Sequence, residues 1–443
     1  MNLKRLYFSV YDLAGNRDAS QANRLLEQSQ YWSRNRIQDH QLKKLKDLFE
    51  HAAKNIPYYQ KIIKKAPEPT WNFQDMMAYL QDIPILKKSD VQEFFEELID
   101  PGVDRKKLVY QRSGGTTGRP TQFYHDRIKL DYTRVALQRN FDWAGYTMRK
   151  KCLKLASGQY EVTINKGMKG KLKNLLFNRF FFEGAFLTNE RWADEVVQII
   201  RQKKIKVLWG YASILYMLAK ELGNGKDLGI ETMISSSETL LPSQRQKIEE
   251  TFGCKVFDDY GSREFMVAAE CEAHSGMHIN EEIILLEILD ESGSICQNGT
   301  NGNLIITDLY NRSFPFIRFE IGDRGAFFEE EEPCACGRTL KRLKQFDGRS
   351  SETIKVGDSV VSQSIFPDYF KTVKNIEAYQ IVKSKDLLTI NLILFDKEDH
   401  HILGEVEEHL QKRFQQKIRV KVQQVSSLIQ EPNGKVLVVK KMD

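Results

Sequence analysis

The sequence predicts an α/β protein that consists of a large layered N-terminal domain with a β subdomain and a small α+β C-terminal domain. Short apolar runs alternate with helical patterns up to about residue 260, which is typical of a layered α/β core. Strand patterns then follow one another from about 278 to 347. We therefore predict domains at 1–347, with its β subdomain at about 278–347, and at 348–443.

Helices and strands are predicted at the following positions along the chain. Residues 20–66 carry apolar positions three and four apart, which predicts helix up to the break at Pro57. The predicted strands are KKLVYQR, TQFYHD, CLKLA, KVLWGY, TMISSS and CKVFDDY, then EIILLEIL, NLIITDL and FPFIRFEIG, then YQIVKS, LTINLILF, RVKVQQV and KVLVVKK. The predicted helices are RWADEVVQIIRQ, PSQRQKIEETF and, in the C-terminal domain, LGEVEEHLQKRFQQ.

Composition excludes several classes of protein. The chain has 443 residues and a net charge of +6, too modest to indicate a nucleic-acid partner. No apolar run approaches the ~20 residues of a membrane span, and the first residues lack the pattern of a signal peptide. Six cysteines in such a chain do not indicate a disulfide scaffold. We expect a cytoplasmic protein.

The run SGGTTGRP at 113–120 predicts an anion-binding loop. Its glycines can adopt positive φ and bring N–H groups close to a phosphate, while the hydroxyls add donors. No Gly-Lys-Ser/Thr follows, so it is not the loop of a P-loop NTPase. A surface turn is the alternative that composition leaves open. The predicted phosphate-binding residues are Ser113, Gly114, Gly115, Thr116, Thr117 and Gly118, with Arg119 as a fixed charge.

Later segments place charged groups where strands end or domains meet. Asp259–Glu264, DYGSRE, ends a predicted strand, where α/β enzymes place ligand groups. Asp323 follows a glycine in RFEIGD and is suited to accept hydrogen bonds from ribose hydroxyls. Arg349 opens the C-terminal domain, and Lys435 lies in the last predicted hairpin, where a long cation can reach into a cleft.

In this order the motifs resemble those of the adenylate-forming ligase superfamily, and within it the phenylacetate-CoA ligase branch and its relatives in capsular polysaccharide gene clusters. The similarity spans nearly all of the chain. It implies ATP and a carboxylic acid bound between a large N-terminal domain and a small mobile C-terminal domain. The motifs that carry it are NIPYYQ, IPILKKSDV, SGGTTGRP, WGYAS, DYGSRE, RFEIGD, CACGR, DGRSSETIK and NGK.

The resemblance implies a role for each motif residue. Ser113 to Gly118 would hold the β and γ phosphates of ATP, and Asp323 would hold the ribose. Arg349 would reach the ribose or a phosphate, and Lys435 would meet the α-phosphate and the attacking carboxylate. The implied catalytic residues are Lys435, Arg349 and Glu264, of which Glu264 would bind Mg²⁺. The remaining nucleotide or acyl pocket would be formed by Ser236, Ser237, Glu238, Asp259, Tyr260, Gly261 and Ser262.

The predicted function is ATP-dependent activation of a carboxylic acid to an acyl adenylate with pyrophosphate release, then acyl transfer to coenzyme A by an AMP-forming acid-thiol ligase. A carboxylate attacking a phosphate brings two anions together, so such a site needs cations, Mg²⁺ and oriented N–H groups. The alternatives are acyl or aminoacyl transfer onto a sugar of a capsule or surface polysaccharide, and a non-catalytic nucleotide-binding protein on the same fold.

Two segments depart from the pattern of this family. SSSETL at 235–240 stands where relatives often have Gly-Ala-Glu-Pro, which leaves the identity of the acid open. The hinge after Gly-Arg usually carries an acidic residue, and here either Ser351 or Glu352 is the pivot.

Cysteine spacing predicts a structural zinc site. Cys271, His274 and His278 lie on one segment and Cys334 and Cys336 on another, at the two ends of the β subdomain. The preferred ligands are Cys271, His278, Cys334 and Cys336, with His274 as the substitute for His278. Reduced cysteines near an unrelated histidine are the alternative, because Cys-x-Cys is tighter than the usual spacing.

A basic, aromatic stretch at 149–182 suggests further partners. It fits a membrane surface in peripheral contact or a phosphorylated substrate, although a basic helix packed on the core is the favoured interpretation. Besides the carboxylate substrate and the acyl acceptor, a homodimer is expected from similar ligases.

Overall fold

The computed structural model describes residues 3–13, 18–112, 121–156, 178–183, 191–223, 227–330, 332–349, 354–356, 359–361, 366, 370, 373, 375–384, 387–414, 418–430 and 439–441. The chain divides into two compact units. The first contains Met1–Met148 and Phe257–Phe346, and the second contains Arg149–Val256 and Asp347–Asp443.

The described helices are α1 Leu3–Leu13, α2 Ala19–Ser29, α3 Arg34–Asn55, α4 Pro57–Ile62, α5 Phe73–Gln81, α6 Lys88–Glu93, α7 Arg127–Trp143, α8 Trp192–Lys203, α9 Ala212–Leu222, α10 Pro242–Phe252 and α11 His401–Arg413. A 3₁₀ turn spans Arg105–Lys107. Among these described helices, none has the length and hydropathy needed to cross a membrane.

The described strands are β1 Val109–Arg112, β2 Gln122–His125, β3 Cys152–Ala156, β4 Arg179–Glu183, β5 Val207–Gly210, β6 Thr232–Ser236, β7 Lys255–Gly261, β8 Met266–Glu270, β9 Met277–Ile279, β10 Ile284–Leu289, β11 Gly302–Asp308, β12 Phe319–Phe327, β13 Arg342–Arg349, β14 Ile354–Val356, β15 Ser359–Val361, β16 Ile376–Ser384, β17 Leu387–Leu394, β18 Arg419–Gln424 and β19 Val439–Lys441.

In the first unit the strands lie in the order β10, β11, β12, β13, β9, β8, β7. The pairs β10/β11, β11/β12, β13/β9, β8/β9 and β7/β8 are antiparallel, as expected for the strand-rich segment of the sequence. The β9 residue His278 lies opposite Ala269 of β8 and Arg342 of β13. This register brings together the segments that carry the predicted zinc ligands.

The phosphate-loop motif lies between β1 and β2, which pair antiparallel from Val109 opposite His125 to Arg112 opposite Gln122. Both strands were predicted from the sequence. Helix α7 begins directly after β2, because the side chain of Asp126 accepts a hydrogen bond from the backbone N–H of Lys129, 2.8 Å away, and caps the helix.

The second unit begins with four strands in the order β6, β5, β3, β4, whose pairs β5/β6, β3/β5 and β3/β4 are parallel. Alternate residues of these strands, such as Leu153 and Leu208, are buried against helices α8 to α10. Val196 and Leu215 are among the helical residues in that core. Strand and helix therefore alternate here as the sequence predicts.

The C-terminal stretch of the second unit has a four-stranded sheet in the order β18, β17, β16, β19. Helix α11 contributes Val406 and Leu410 to a core that also contains Ile390 and Leu392 of β17. The predicted α/β class, with parallel and antiparallel strands and a small C-terminal α+β sheet, is confirmed. The division into domains at residue 347 stays a prediction.

Three buried ion pairs cross the first unit. Arg139 of α7 forms a bidentate pair with Glu282 at 2.6 and 2.9 Å, and it also donates to the carbonyl of Leu26 and the side chain of Asn280. Ser29 of α2 donates to the same glutamate at 2.6 Å. These contacts stabilise an ionised pair that is 2 % and 0 % exposed. The other two pairs are Lys129 with Asp308 and Arg318 with Glu287.

We predict that Arg139→Ala lowers the free energy of unfolding by about 3–5 kcal/mol, because it leaves the buried Glu282 carboxylate without its counterion. Arg5→Ala serves as the control, since its pair with Glu27 is exposed and is worth about 0–1 kcal/mol. Urea unfolding of both variants measures the two losses. Equal losses would show that the buried pair does not stabilise this unit.

Candidate active site and metal centre

The DYGSRE and RFEIGD motifs meet in the first unit. The hydroxyl of Tyr260 donates a 2.7 Å hydrogen bond to Oδ2 of Asp323, and both residues are buried. Tyr260 is at the end of β7 and Asp323 is in β12, 63 residues further along the chain. The phenol fixes one carboxylate oxygen of Asp323 and so sets the direction of the other.

Asp259, the neighbour of Tyr260, is tied to helix α7. The side-chain amide of Asn140 donates to Oδ1 of Asp259 at 3.0 Å, and both are buried. Helix α7 follows the phosphate-loop motif by only a few residues in the sequence. This bond therefore connects the end of β7 with the first helix after that motif.

A tight turn presents Glu264. The backbone N–H of Ser262 donates to the carbonyl of Phe265 at 2.8 Å, and the Ser262 hydroxyl oxygen accepts from the N–H groups of Glu264 and Phe265, each at 3.1 Å. Hydroxyl side chains commonly bond nearby backbone groups in this way. Gly261 precedes the turn, where a Cβ would lie 3.2 Å from the sulfur of Met266.

The Glu264 side chain is only 5 % exposed, and within the described part of the chain no side chain hydrogen-bonds to its carboxylate. Buried carboxylates are normally paired with a cation or hydrogen-bonded. Carboxylate oxygens are also ligands that Mg²⁺ prefers. The residue therefore fits the role of a metal ligand, which the sequence motif implies.

The SSSETL segment belongs to the second unit, where it ends β6. The indole N–H of Trp209 donates to the hydroxyl of Ser236 at 2.9 Å. Ser237 has φ +69°, a left-handed backbone conformation that a non-glycine residue adopts at a cost of about 1–3 kcal/mol. Glu238 follows. Strain of this kind is concentrated at functional sites, which is consistent with a pocket wall here.

Several predicted site residues lie outside the described residues. They are Ser113, Gly114, Gly115, Thr116, Thr117, Gly118, Arg119, Ser351, Glu352, Lys435 and the side chain of Arg349. Most of the basic stretch, 157–177, lies outside as well. Of its described part, Lys154 places its ammonium 3.8 Å from the centre of the Trp209 ring.

Four metal-ligating side chains converge in the first unit. The ligand atoms of Cys271, His278, Cys334 and Cys336 all lie within 4.8 Å of one another. The Sγ atoms of Cys271 and Cys334 are 3.6 Å apart, and Nε2 of His278 is 3.2 Å from Sγ of Cys336. Ligands of a tetrahedral zinc with Zn–S bonds of about 2.3 Å are separated by roughly 3.7 Å. The cluster can hold zinc.

Neighbouring groups set the tautomer of His278 and shift the pKa values of the ligating side chains. Nδ1 of His278 donates to the carbonyl of Leu340 at 3.0 Å, which leaves Nε2 as the lone-pair nitrogen toward the cysteines. Burial lowers the pKa of His278 to about 4, so the ring is neutral. Burial raises the pKa of Cys271. At Cys336, burial is outweighed by the backbone N–H of Arg338 and other donors, and its pKa is lowered.

His274, the predicted substitute, does not belong to this cluster. Its Nδ1 is 3.5 Å from a carboxylate oxygen of Glu270, and its ring packs on Phe257 with centroids 4.4 Å apart. The tight Cys-x-Cys spacing is accommodated by a turn, in which Gly337 takes φ +77° and donates its N–H to the carbonyl of Cys334.

The chain was compared with known proteins. None of the protein-family models matches the sequence. It is 25 % identical over 361 residues to the phenylacetate-coenzyme A ligase of Thermus thermophilus, covering 80 % of this chain and 79 % of that ligase. It is 21 % identical over 409 residues to the protein CapK of Staphylococcus aureus, covering 89 % and 87 % of the two chains. These matches indicate distant homology to phenylacetate-coenzyme A ligases and CapK, in line with the resemblance of the motifs to the adenylate-forming ligase superfamily.

A solved structure of this superfamily has the same fold. The 2-hydroxyisobutyryl-CoA ligase, in the postadenylation state with R3-HIB-AMP, superposes with a TM-score of 0.68 at 20 % identity, covering 91 % of this chain and 89 % of that ligase. Another structure of that ligase contains 2-HIB-AMP and CoA, at a TM-score of 0.59 and 20 % identity. These two superpositions show that the chain shares the fold of that ligase.

The motifs of the superfamily did not single out every polar residue around the site. Asn140 and His125 were not predicted, because a lone amide in a helix and a lone histidine in a strand carry no spacing signal. Asn140 donates to the side chain of Asp259, and His125 contacts the backbone carbonyl of Arg263. Each partner is more than 100 residues away in the sequence, so only the fold reveals these contacts.

We predict that the protein, purified without chelators, contains about one zinc ion per chain, and that Cys336→Ala and His278→Ala each abolish most of it. His274→Ala should retain the metal, since this ring contacts Glu270 and Phe257 instead. Elemental analysis measures the zinc content. A wild-type chain with much less than one equivalent, or loss of zinc in the His274 variant, would contradict the assigned ligand set.

Proposed function

We propose that this protein is an AMP-forming acid-thiol ligase that activates a carboxylic acid with ATP and passes the acyl group to coenzyme A. In the first step a carboxylate oxygen bonds to the α-phosphorus of ATP, and the bond to the β-phosphate oxygen breaks to release pyrophosphate. In the second step the thiol sulfur of coenzyme A bonds to the acyl carbon, and AMP leaves with the electrons of the broken acyl–oxygen bond.

The Tyr260–Asp323 hydrogen bond is the observation that carries this proposal. A buried carboxylate with one oxygen held by a phenol is fixed in its orientation. Vicinal ribose hydroxyls are donors that such an acceptor binds well. Asp323 therefore takes the ribose in this proposal, and Tyr260 lies beside the adenine. Tyr260 belongs to DYGSRE and Asp323 to RFEIGD, two of the motifs that resemble those of adenylate-forming ligases.

The carboxylate and the phosphates of ATP are negatively charged, so the site needs cations. Glu264 takes the Mg²⁺ ion, which neutralises phosphate charge when it is bound. Lys435 meets the α-phosphate and the incoming carboxylate, Arg349 meets the ribose or a phosphate, and Ser113 to Gly118 hold the β and γ phosphates. Fixed cations and N–H groups suit this chemistry because no strong general base is required.

Ser236, Ser237 and Glu238 form part of the adenine and acyl pocket in this proposal. The Trp209 indole donates to the hydroxyl of Ser236, and the left-handed Ser237 follows the end of the strand. The family pattern Gly-Ala-Glu-Pro is altered here, which leaves the identity of the acid to be found by experiment.

An amino sugar is the second candidate acceptor. The resemblance of the motifs to relatives from capsular polysaccharide gene clusters supports it, and the chain is similar to CapK over 89 % of its length. The first half-reaction is the same for both acceptors. Only the group that attacks the acyl carbon differs, a thiol in one case and an amine or hydroxyl in the other.

We predict that the protein releases pyrophosphate from ATP and Mg²⁺ when a panel of aromatic, short-chain, fatty and amino acids is supplied, and that Lys435→Ala abolishes the release without changing the melting temperature. Mass spectrometry of reactions with coenzyme A or an amino sugar then identifies the acceptor. ATP binding without carboxylate-dependent turnover would instead indicate a non-catalytic nucleotide-binding protein.

We also predict that Tyr260→Phe raises the KM for ATP about five- to tenfold, because one hydrogen bond of about 1–1.5 kcal/mol no longer orients Asp323. Tyr79→Phe is the matched control, since that hydroxyl donates to the carbonyl of Lys65 at the surface. Steady-state pyrophosphate kinetics compare the two. An unchanged KM in the Tyr260 variant would remove Asp323 from ribose binding.

A further inference from the structure

His125 is the last residue of β2, the strand that follows the phosphate-loop motif, and it contacts the Glu264 turn directly. Its Nε2 lies 2.9 Å from the backbone carbonyl oxygen of Arg263, and the side chain is 3 % exposed. A carbonyl only accepts hydrogen bonds, so Nε2 carries the proton and donates it. The bond spans 138 residues of sequence and links two motifs that the sequence treats as separate.

The other side of the imidazole is equally constrained. The side-chain amide of Asn311 lies 3.5 Å from Nδ1 of His125 and donates to the carbonyls of Tyr124 and Phe314 at 2.8 and 2.9 Å. The ring of Phe123 packs edge-on against His125, with centroids 5.1 Å apart. The imidazole is thus held in one orientation with its Nε2–H toward Arg263.

The turn joins β7 and β8, with Gly261 paired opposite Met266, and the His125 contact adds a restraint from β2. Its internal bonds, through Ser262, fix its shape. Within the described residues, no side chain hydrogen-bonds to the Glu264 carboxylate, so the location of that carboxylate follows from where the backbone is held. The His125 bond falls on the peptide immediately before Glu264 and links that peptide to β2.

We propose that His125 is a positioning residue for the metal-binding step: it holds the Glu264 turn at a fixed distance from the strand that carries the phosphate-binding loop. This inference rests on the proposed function, in which Glu264 binds Mg²⁺. The two motifs must bind the same Mg²⁺–ATP complex, so a bond that sets their separation raises the affinity for that complex without touching it.

The test compares side chains that differ in the reach of their donor. His125→Gln places an amide N–H near the position of Nε2 and should behave like the wild type. His125→Asn keeps an amide but its donor falls short of the Arg263 carbonyl, and His125→Leu removes the donor. We expect the last two to raise the Mg²⁺ concentration for half-maximal pyrophosphate release about five- to tenfold.

Gln41→Leu controls for a general loss of stability. Gln41 is also buried in the first unit and donates to two backbone carbonyls, those of Glu281 and Ile284, but it contacts neither motif. It should lower the melting temperature without shifting the Mg²⁺ dependence. A shift in this variant equal to that of the Asn variant, or the same Mg²⁺ dependence in the Asn and Gln variants, would overturn the proposal.

Hydrogen–deuterium exchange separates this inference from the proposed function. Peptides covering 258–266 should exchange faster in the Asn and Leu variants than in the wild type and the Gln variant, whether or not the protein releases pyrophosphate. Unchanged exchange in the Asn variant refutes the positioning role. Changed exchange in a chain that activates no carboxylic acid supports the contact and refutes the enzyme proposal instead.

Discussion

The buried Arg139–Glu282 pair is the interaction on which the first unit is built. Removing both charges from water costs several kcal/mol, and the bidentate geometry with additional hydrogen bonds offsets that cost. The serine of α2, the carbonyl of Leu26 and the amide oxygen of Asn280 supply the additional bonds, while Nε of Arg139 has no hydrogen-bond partner within the described residues. Burial favours the neutral acid, but Arg139 and Ser29 outweigh it, so the pKa of Glu282 is lowered and the pair stays ionised.

This pair also links the metal cluster to the nucleotide motifs. The Arg139 guanidinium lies 5.0 Å from the centre of the Trp143 ring, and that ring packs edge-on against His278. Gln30 accepts from both the Trp143 indole and the side chain of Arg338, which follows Cys336. Helix α7 thus contacts the cysteine cluster at its C-terminal end, while its N-terminal end follows β2 and the phosphate-loop motif. A metal at the cluster would stiffen the same helix that carries Asn140.

The sequence predicted the elements better than their contacts. Apolar runs of strand length, such as CLKLA and NLIITDL, are reliable because burial of one face requires them. FPFIRFEIG was predicted as one strand, but β12 begins only at Phe319. Arg318 takes φ +50° and turns its guanidinium inward, where it donates to the carbonyls of Leu80 and Ile83 and pairs with Glu287. Regular strand geometry would direct that side chain elsewhere, and no local pattern signals the buried partner.

The three carboxylates of the candidate site are restrained in different ways, and the difference matches the work proposed for them. Asp259 and Asp323 are fixed by side-chain donors, Asn140 and Tyr260, which suits groups that must keep one orientation. Within the described residues, Glu264 is restrained through its backbone, by the β7/β8 pairing, the Ser262 hydroxyl and the His125 bond to the Arg263 carbonyl. A carboxylate without competing donors keeps its oxygens available for a cation that arrives and leaves with each nucleotide.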